Sequence, residues 1–128
     1  MPLTVNARLC TGCRTCEIAC AFTHGVAGAI GASRVRVAAD RTLHVPVLCL
    51  QCDDAACVRV CPTRALTRNR ETGAIDCAST RCIRCGQCAI ACSFGNISVT
   101  PAGDYVKCDL CGGAPACARF CPSGALRY

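Results

Sequence analysis

"CPTRALTRNRETGAIDCASTRCIRCGQC", residues 61–88, opens on a cysteine before proline and closes on three cysteines with two residues between neighbours. Between them, "ALTR" and "AID" flank a turn at Glu71-Thr72-Gly73, so the stretch reads as a strand, a tight turn and a returning strand. It ties one cysteine group to the next through a hairpin. In "CIRCGQCAIAC", residues 82–92, the first three thiols lie on one turn and suit three corners of an iron-sulfur cube. The fourth, Cys92, sits on the segment leading away, so the motif calls for a partner elsewhere in the chain.

Sixteen of the 17 cysteines fall into four groups: Cys10, Cys13, Cys16 and Cys20; Cys49, Cys52, Cys57 and Cys61; Cys82, Cys85, Cys88 and Cys92; Cys108, Cys111, Cys117 and Cys121. The first and third share C-x2-C-x2-C-x3-C. The second and fourth read C-x2-C-x4-C-x3-C-P and C-x2-C-x5-C-x3-C-P, their middle gaps lengthened by "DDAA" and "GGAPA". Short and long motifs therefore alternate as an internal repeat. "CPTRAL" (61–66) and "CPSGAL" (121–126) repeat the flanks too, with Pro closing a short helix and Ala-Leu opening a strand.

The pattern predicts short helices at about 16–23, 54–60, 87–93 and 114–120. Hairpins are expected at about 65–77 and 97–107, with "RETG" and "TPAG" as turn signals. The connection over 21–48 is the least regular, a Gly/Ala-rich "GVAGAIGAS" loop before a strand-like "RVRV", and is expected to offer a docking surface. Spacing alone leaves two arrangements open. Sequential pairing joins the first motif with the second and the third with the fourth; nested pairing joins the second with the third and the first with the fourth.

With 128 residues, no Trp, three Phe and two Tyr, the chain suits one compact domain or two very small ones and has little bulk for an apolar core. Bound metal is the obvious substitute. The odd cysteine count, with neither a secretory nor a twin-arginine signal, disfavours a disulfide scaffold and points to reduced, metal-bound thiols in the cytoplasm. No run of about 18 apolar residues occurs, so no membrane span is expected.

The formal charge of +6 treats every cysteine as neutral. The arginines are scattered, with Arg14, Arg59, Arg84 and Arg119 inside cysteine motifs, which matches a nucleic-acid groove poorly. Those four are either solvated charges or cations that tune a cluster. Zinc sites usually show two separated cysteine pairs or include His, whereas three close cysteines with a fourth before Pro fit a cubane better. His24 and His44 fall outside the motifs and read as surface or hydrogen-bonded residues, and Cys77 reads as a buried free thiol. No Gly-rich dinucleotide loop, Walker loop or nucleophile with a recognisable base is present, so no catalytic residue is assigned. Every motif carries its fourth thiol, which favours electron transfer over substrate binding. An iron-sulfur redox sensor that binds nucleic acid is the alternative from another class.

The 61–88 stretch resembles the intercluster linker of bacterial two-cluster ferredoxins, in which the fourth cysteine of a motif ligates the other cluster. "LCTGCRTCEIAC", "LCLQCDDAACVRVCP", "RCIRCGQCAIAC" and "KCDLCGGAPACARFCP" together resemble a superfamily of four-cluster electron-transfer subunits. Its members serve dimethyl sulfoxide reductase and other molybdenum or tungsten pterin enzymes, formate hydrogenlyase and carbon monoxide dehydrogenase systems. The resemblance implies an α+β fold, a tandem bacterial ferredoxin-like arrangement with nested motifs. Its inner unit would span 48–97 and its outer unit 1–47 plus 98–128. It implies four [4Fe-4S] clusters, held by Cys10, Cys13, Cys16 and Cys121; by Cys20, Cys108, Cys111 and Cys117; by Cys49, Cys52, Cys57 and Cys92; and by Cys61, Cys82, Cys85 and Cys88. It further implies relay of single electrons between a catalytic oxidoreductase subunit and a second redox partner. The preferred catalytic partner is a tungsten or molybdenum pterin enzyme of aldehyde oxidoreductase or formate dehydrogenase type. A free polyferredoxin carrier is the alternative. Many relatives continue past the last motif into membrane-docking segments, and the end at Tyr128 shifts the expectation toward a soluble partner. A relay with two opposite faces also allows self-association into oligomers or filaments.

Charge gives a direct test. Each oxidised cluster with its four thiolates carries about −2, so four of them turn the formal +6 into about −2, and one electron on each takes it to about −6. The holo-protein is expected to run toward the anode in anaerobic native electrophoresis near neutral pH, and faster once reduced. Cathodic migration with about sixteen irons bound would contradict four cubane clusters.

Overall fold

In the computed structural model, which describes residues 3–25, 31–100 and 102–128, each cysteine motif turns on a left-handed residue. Gly12 (φ 75°), Gln51 (φ 49°), Arg84 (φ 58°) and Leu110 (φ 55°) each stand two positions after the first cysteine of a motif. A short helix follows every turn: α1 (Thr15–Thr23), α2 (Ala56–Val60), α3 (Gln87–Ala91) and α4 (Ala116–Arg119). Arg14, itself left-handed, starts α1, and Glu17 in the first turn complements the helix dipole. Gly86 (φ 78°) starts α3 under the Tyr105 side chain, where a Cβ would lie 2.8 Å from the phenol oxygen. Glycine is therefore required there by both backbone and space.

Helix α1 packs on α4, and α2 on α3, so each short motif meets a long one. The strands are short and form four antiparallel two-stranded sheets: β1 (Thr4–Val5), β2 (Arg36–Asp40), β3 (Leu43–Val47), β4 (Leu66–Arg68), β5 (Ile75–Cys77), β6 (Ser98–Val99), β7 (Tyr105–Val106) and β8 (Leu126–Arg127). β4 and β5 form the hairpin of the 61–88 stretch, with Leu66 opposite Cys77. β1 pairs with β8 across the whole chain, with Thr4 opposite Arg127. The two repeated flanks extend these ladders in the same way: the Ala78 N–H donates to Ala65 O at 2.8 Å, and the Asn6 N–H to Ala125 O at 2.7 Å.

The apolar interior is divided into small clusters edged by cysteines. Cys16, Cys20, Val35, Val37, Leu48, Cys117 and Leu126 form one, and Ala55, Leu66 and Ile75 another. Ala74, Cys108 and Leu110 fill a third, with Cys49 packed against it. No described helix is long and apolar enough to cross a membrane.

The expected helices and the 65–77 and 97–107 hairpins appear within a few residues of their anticipated bounds. The region 21–48 differs. "RVRV" leads into β2 of a hairpin with β3, the longest ladder of the fold, in which Arg36 lies opposite Val47 and Asp40 opposite Leu43. The chain reverses through a left-handed Arg41 (φ 55°), so no glycine marks the turn. Of the "GVAGAIGAS" loop, residues 26–30 lie outside the described residues, as does Pro101 of "TPAG".

Ile75 is 1% exposed, and Cys52, Cys57, Cys61 and Cys88 surround its small cluster. Truncation of a buried Ile to Ala costs about 2–5 kcal/mol. Ile75→Ala is expected to speed the bleaching of visible absorbance in anaerobic urea severalfold, and a rate equal to wild type would show that this contact does not hold the hairpin.

Candidate metal centres

Two cavities gather thiols from different motifs. One is lined by Cys61, Cys82, Cys85 and Cys88 together with Cys77. The other is lined by Cys49, Cys52, Cys57 and Cys92. In each, three thiols of one motif face the last thiol of another. Cys16 and Cys20 of α1 and Cys117 of α4 share a buried cluster that Cys10 and Cys121 edge.

The left-handed turns aim backbone donors at sulfur. The Gln51 N–H donates to Cys49 Sγ at 3.4 Å and the Leu110 N–H to Cys108 Sγ at 3.4 Å. The repeated "CPxxAL" turn brings the Ala65 N–H to Cys61 Sγ at 3.3 Å, and the Arg34 N–H reaches Cys20 Sγ at 3.2 Å. Such donors favour the thiolate. At Cys61 burial opposes ionisation, yet the Ala65 N–H and the Thr63 hydroxyl outweigh it and lower the thiol's pKa. At Cys121 burial is likewise outweighed, by the Leu126 N–H and the Ser123 hydroxyl. The Thr15 hydroxyl and N–H lower that of Cys13.

The buried thiols go the other way. Burial pushes Cys16 and Cys108 up to about 11 and Cys117 up to about 12, with neighbouring thiols adding to it in each case. For Cys16 those neighbours are Cys10 and Cys121; for Cys117 they are Cys108, Cys20 and Cys111. Crowded sulfurs of this kind hold their protons until a cation replaces them, which is what a bound iron core does.

The spacing of the donors distinguishes a cluster from a single ion. Among the described residues, the metal-competent atoms that lie mutually within 4.8 Å belong to His24, Asp109 and Cys111. The four-thiol sets are wider, as a multi-iron cube needs and one tetrahedral zinc does not. His24 is hydrogen-bonded, as the sequence suggests: its Nε2 lies 3.1 Å from Asp109 Oδ1 and its Nδ1 2.9 Å from Cys20 O. Burial works against the Asp109 carboxylate, but His24, the Cys111 N–H and Arg34 hold its pKa below the ordinary value. His44 is half-buried in β3 against Gly12, where a Cβ would come within 2.7 Å of its Nδ1.

Of the two readings of the motif arginines, solvated charge holds, and Cys77 is less buried than expected. Three of the motif arginines point outward to carboxylates: Arg14 to Glu17 at 3.5 Å, Arg59 to Asp54 at 3.3 Å and Arg84 to Asp104 at 2.6 Å. Arg119 is exposed and lies over the Phe120 ring at 5.4 Å. They are surface charges: Arg59 and Arg119 lie on the exposed faces of α2 and α4, and Arg14 and Arg84 on the left-handed turns that precede α1 and α3. Cys77 is half-buried, and as the last residue of β5 it lines the cavity of Cys61, Cys82, Cys85 and Cys88. Burial raises its pKa, and the charges of Cys82 and Cys88 add to the effect.

Sequence reasoning missed Lys107 and Gln51. Their side chains join the second and fourth motifs: Gln51 Nε2 donates to Cys108 O at 2.7 Å, and Gln51 Oε1 accepts from the Ile75 N–H at 2.8 Å and from Lys107 Nζ at 3.1 Å. The one available signal was that Lys107 is the sole lysine of an arginine-rich chain and immediately precedes Cys108.

Comparison with known proteins agrees with the donor chemistry. Residues 41–128 match the 4Fe-4S dicluster domain family, and residues 8–23 match a 4Fe-4S binding domain. The chain is 44% identical over 115 residues to the polyferredoxin-like subunit of an aliphatic sulfonate oxidoreductase from Pyrococcus furiosus, covering 88% of this chain and 66% of that one. It is 35% identical over 159 residues to formate hydrogenlyase subunit 2 of Escherichia coli K12, covering 94% of this chain and 77% of that one. A solved chain from the active site complex BamBC of benzoyl coenzyme A reductase superposes with a TM-score of 0.55 at 26% identity, over 97% of this chain and 75% of that one.

The cavity that Cys77 lines already offers four other thiols, those of Cys61, Cys82, Cys85 and Cys88. Cys77→Ala is therefore expected to leave iron content unchanged, and the loss of about four irons per chain would make Cys77 a ligand.

Proposed function

The chain belongs to the 4Fe-4S dicluster domain family, and from that premise we propose that it is the electron-transfer subunit of a larger oxidoreductase, relaying single electrons through four [4Fe-4S] clusters. The observation that carries this reading is the meeting of three thiols from one motif with the last thiol of another in each cavity. Two inner clusters are held by Cys49, Cys52, Cys57 and Cys92 and by Cys61, Cys82, Cys85 and Cys88. Two outer ones are held by Cys10, Cys13, Cys16 and Cys121 and by Cys20, Cys108, Cys111 and Cys117. The inner ferredoxin-like unit spans 48–97 and the outer one 1–47 plus 98–128. Support for this nesting comes from the packing of α1 on α4 and of α2 on α3, and from the pairing of the first strand with the last.

When bound, such clusters accept and release one electron each. The chain contributes the rest: four sulfurs per set, which leave no ligand position for substrate, and backbone N–H groups that stabilise negative charge on sulfur. Ile83 at the rim of one cavity and Leu50 and Phe94 at the other are more than half exposed, which suits contact with a partner. The partner we propose is a tungsten or molybdenum pterin subunit of aldehyde oxidoreductase or formate dehydrogenase type. Relatives that are subunits of aliphatic sulfonate oxidoreductase and formate hydrogenlyase support an oxidoreductase partner.

The reading is tested by anaerobic reductive titration followed by electron paramagnetic resonance. Wild type is expected to take up about four electrons, and uptake of about two would overturn a four-cluster relay. Cys92→Ala is expected to lose the same signal as Cys52→Ala. Loss of the signal that disappears in Cys85→Ala would replace nesting with ligation inside one motif.

A further inference from the structure

Lys107 is the only lysine in the chain and is 4% exposed. Its ammonium donates to Ile75 O at 2.6 Å, Cys108 O at 2.8 Å and Gln51 Oε1 at 3.1 Å, which uses all three of its protons. All three acceptors are neutral, and none of the ion pairs among the described residues includes Lys107. A buried cation with its hydrogen bonds satisfied but no counter-charge is costly. Its position supplies the missing anions. Lys107 lines the cavity of Cys49, Cys52, Cys57 and Cys92 and also that of Cys61, Cys82, Cys85 and Cys88, and it directly precedes Cys108. Cys49 packs against the small cluster that contains Cys108, so inner and outer thiol sets meet here.

We propose that Lys107 is a fixed, buried counter-charge at the junction of the inner and outer thiol sets, raising the reduction potential of the clusters it faces and so setting the step by which an electron crosses between the two units. This rests on the four-cluster reading above. A cluster with four thiolates carries about −2 when oxidised and gains one more negative charge on reduction, so a nearby cation stabilises the reduced form more than the oxidised one. Low dielectric strengthens the effect, and solvent salt does little to screen it. Gln51 acts as a positioning residue: with one end on Cys108 O and the other shared by Lys107 and the Ile75 N–H, it holds the ammonium in place.

The test separates charge from hydrogen bonding. Lys107→Gln keeps a donor and removes the charge, whereas Lys107→Arg keeps the charge. With iron content at the wild-type level, Lys107→Gln is expected to shift the reduction equilibrium of at least one cluster tenfold toward the oxidised form. That shift is 59 mV for a one-electron couple. Lys107→Arg is expected to restore most of it. An unshifted titration in Lys107→Gln, or an equal shift in Lys107→Arg, would overturn the proposal. Should Lys107→Gln not assemble, wild type decides, because ¹⁵N-lysine labels this one side chain. Its ammonium resonance in the oxidised protein is expected to shift and broaden on reduction, and a resonance unmoved with every cluster reduced would overturn the proposal. Wild-type iron far below four clusters would instead overturn the relay itself, and so separates the two failures.

Discussion

A sulfur that carries negative charge inside a small protein needs backbone N–H groups pointed at it, and this chain, which bends each C-x-x-C through a left-handed residue, obtains them from that bend at its two long motifs. Only one of the four positions is glycine; Gln51, Arg84 and Leu110 adopt the conformation with a side chain. An L-residue pays roughly 1–2 kcal/mol for that geometry. Such strain persists where surrounding structure over-determines it, and here the determinants are local. At the two long motifs the donated N–H belongs to the strained residue itself, Gln51 and Leu110. The helix that begins just past each turn then carries the later cysteines of its motif toward a partner helix.

With so little aliphatic bulk, the interior depends on cysteine for its continuity. One apolar cluster counts Cys16, Cys20 and Cys117 among seven buried members, and another has only Ala55, Leu66 and Ile75 at its centre. Packing and ligation are thus properties of the same side chains. A ligand thiol cannot be exchanged for a better-packing residue without giving up the donor, nor its neighbours enlarged without displacing the sulfur.

The parts of this structure that were legible in the sequence are those with short-range signatures. The Glu71-Thr72-Gly73 turn announced the β4–β5 hairpin, and proline after Cys61 and Cys121 announced the ends of α2 and α4. The cysteine groups announced their own chemistry. The β2–β3 hairpin was legible only in half, because its turn residue is Arg41 and β3 contains Pro46, which reads against a strand. Lys107 was invisible for a different reason. Its partners are a side chain 56 positions away, a carbonyl 32 away and its neighbour's carbonyl, and hydrogen bonds to backbone oxygen leave no pattern in residue types. Adjacency to cysteine could not say whether the motif arginines were solvated or tuned a cluster; Arg14, Arg59 and Arg84 pair with surface carboxylates and Arg119 lies over Phe120.

The ladder between β1 and β8 also dictates an order of biosynthesis. Thr4 and Arg127 are 123 positions apart, whereas Leu66 and Cys77 close their hairpin locally. At about 5–20 residues per second, the ribosome needs roughly 3–10 s to pass from the end of β5 to the end of the chain. During that interval β4 and β5 are both already made and the third cysteine motif is completed. β1 and α1, by contrast, still lack β8 and α4, the elements they pair with and pack on. The β4–β5 hairpin can therefore close while the β1–β8 ladder still waits for its last strand.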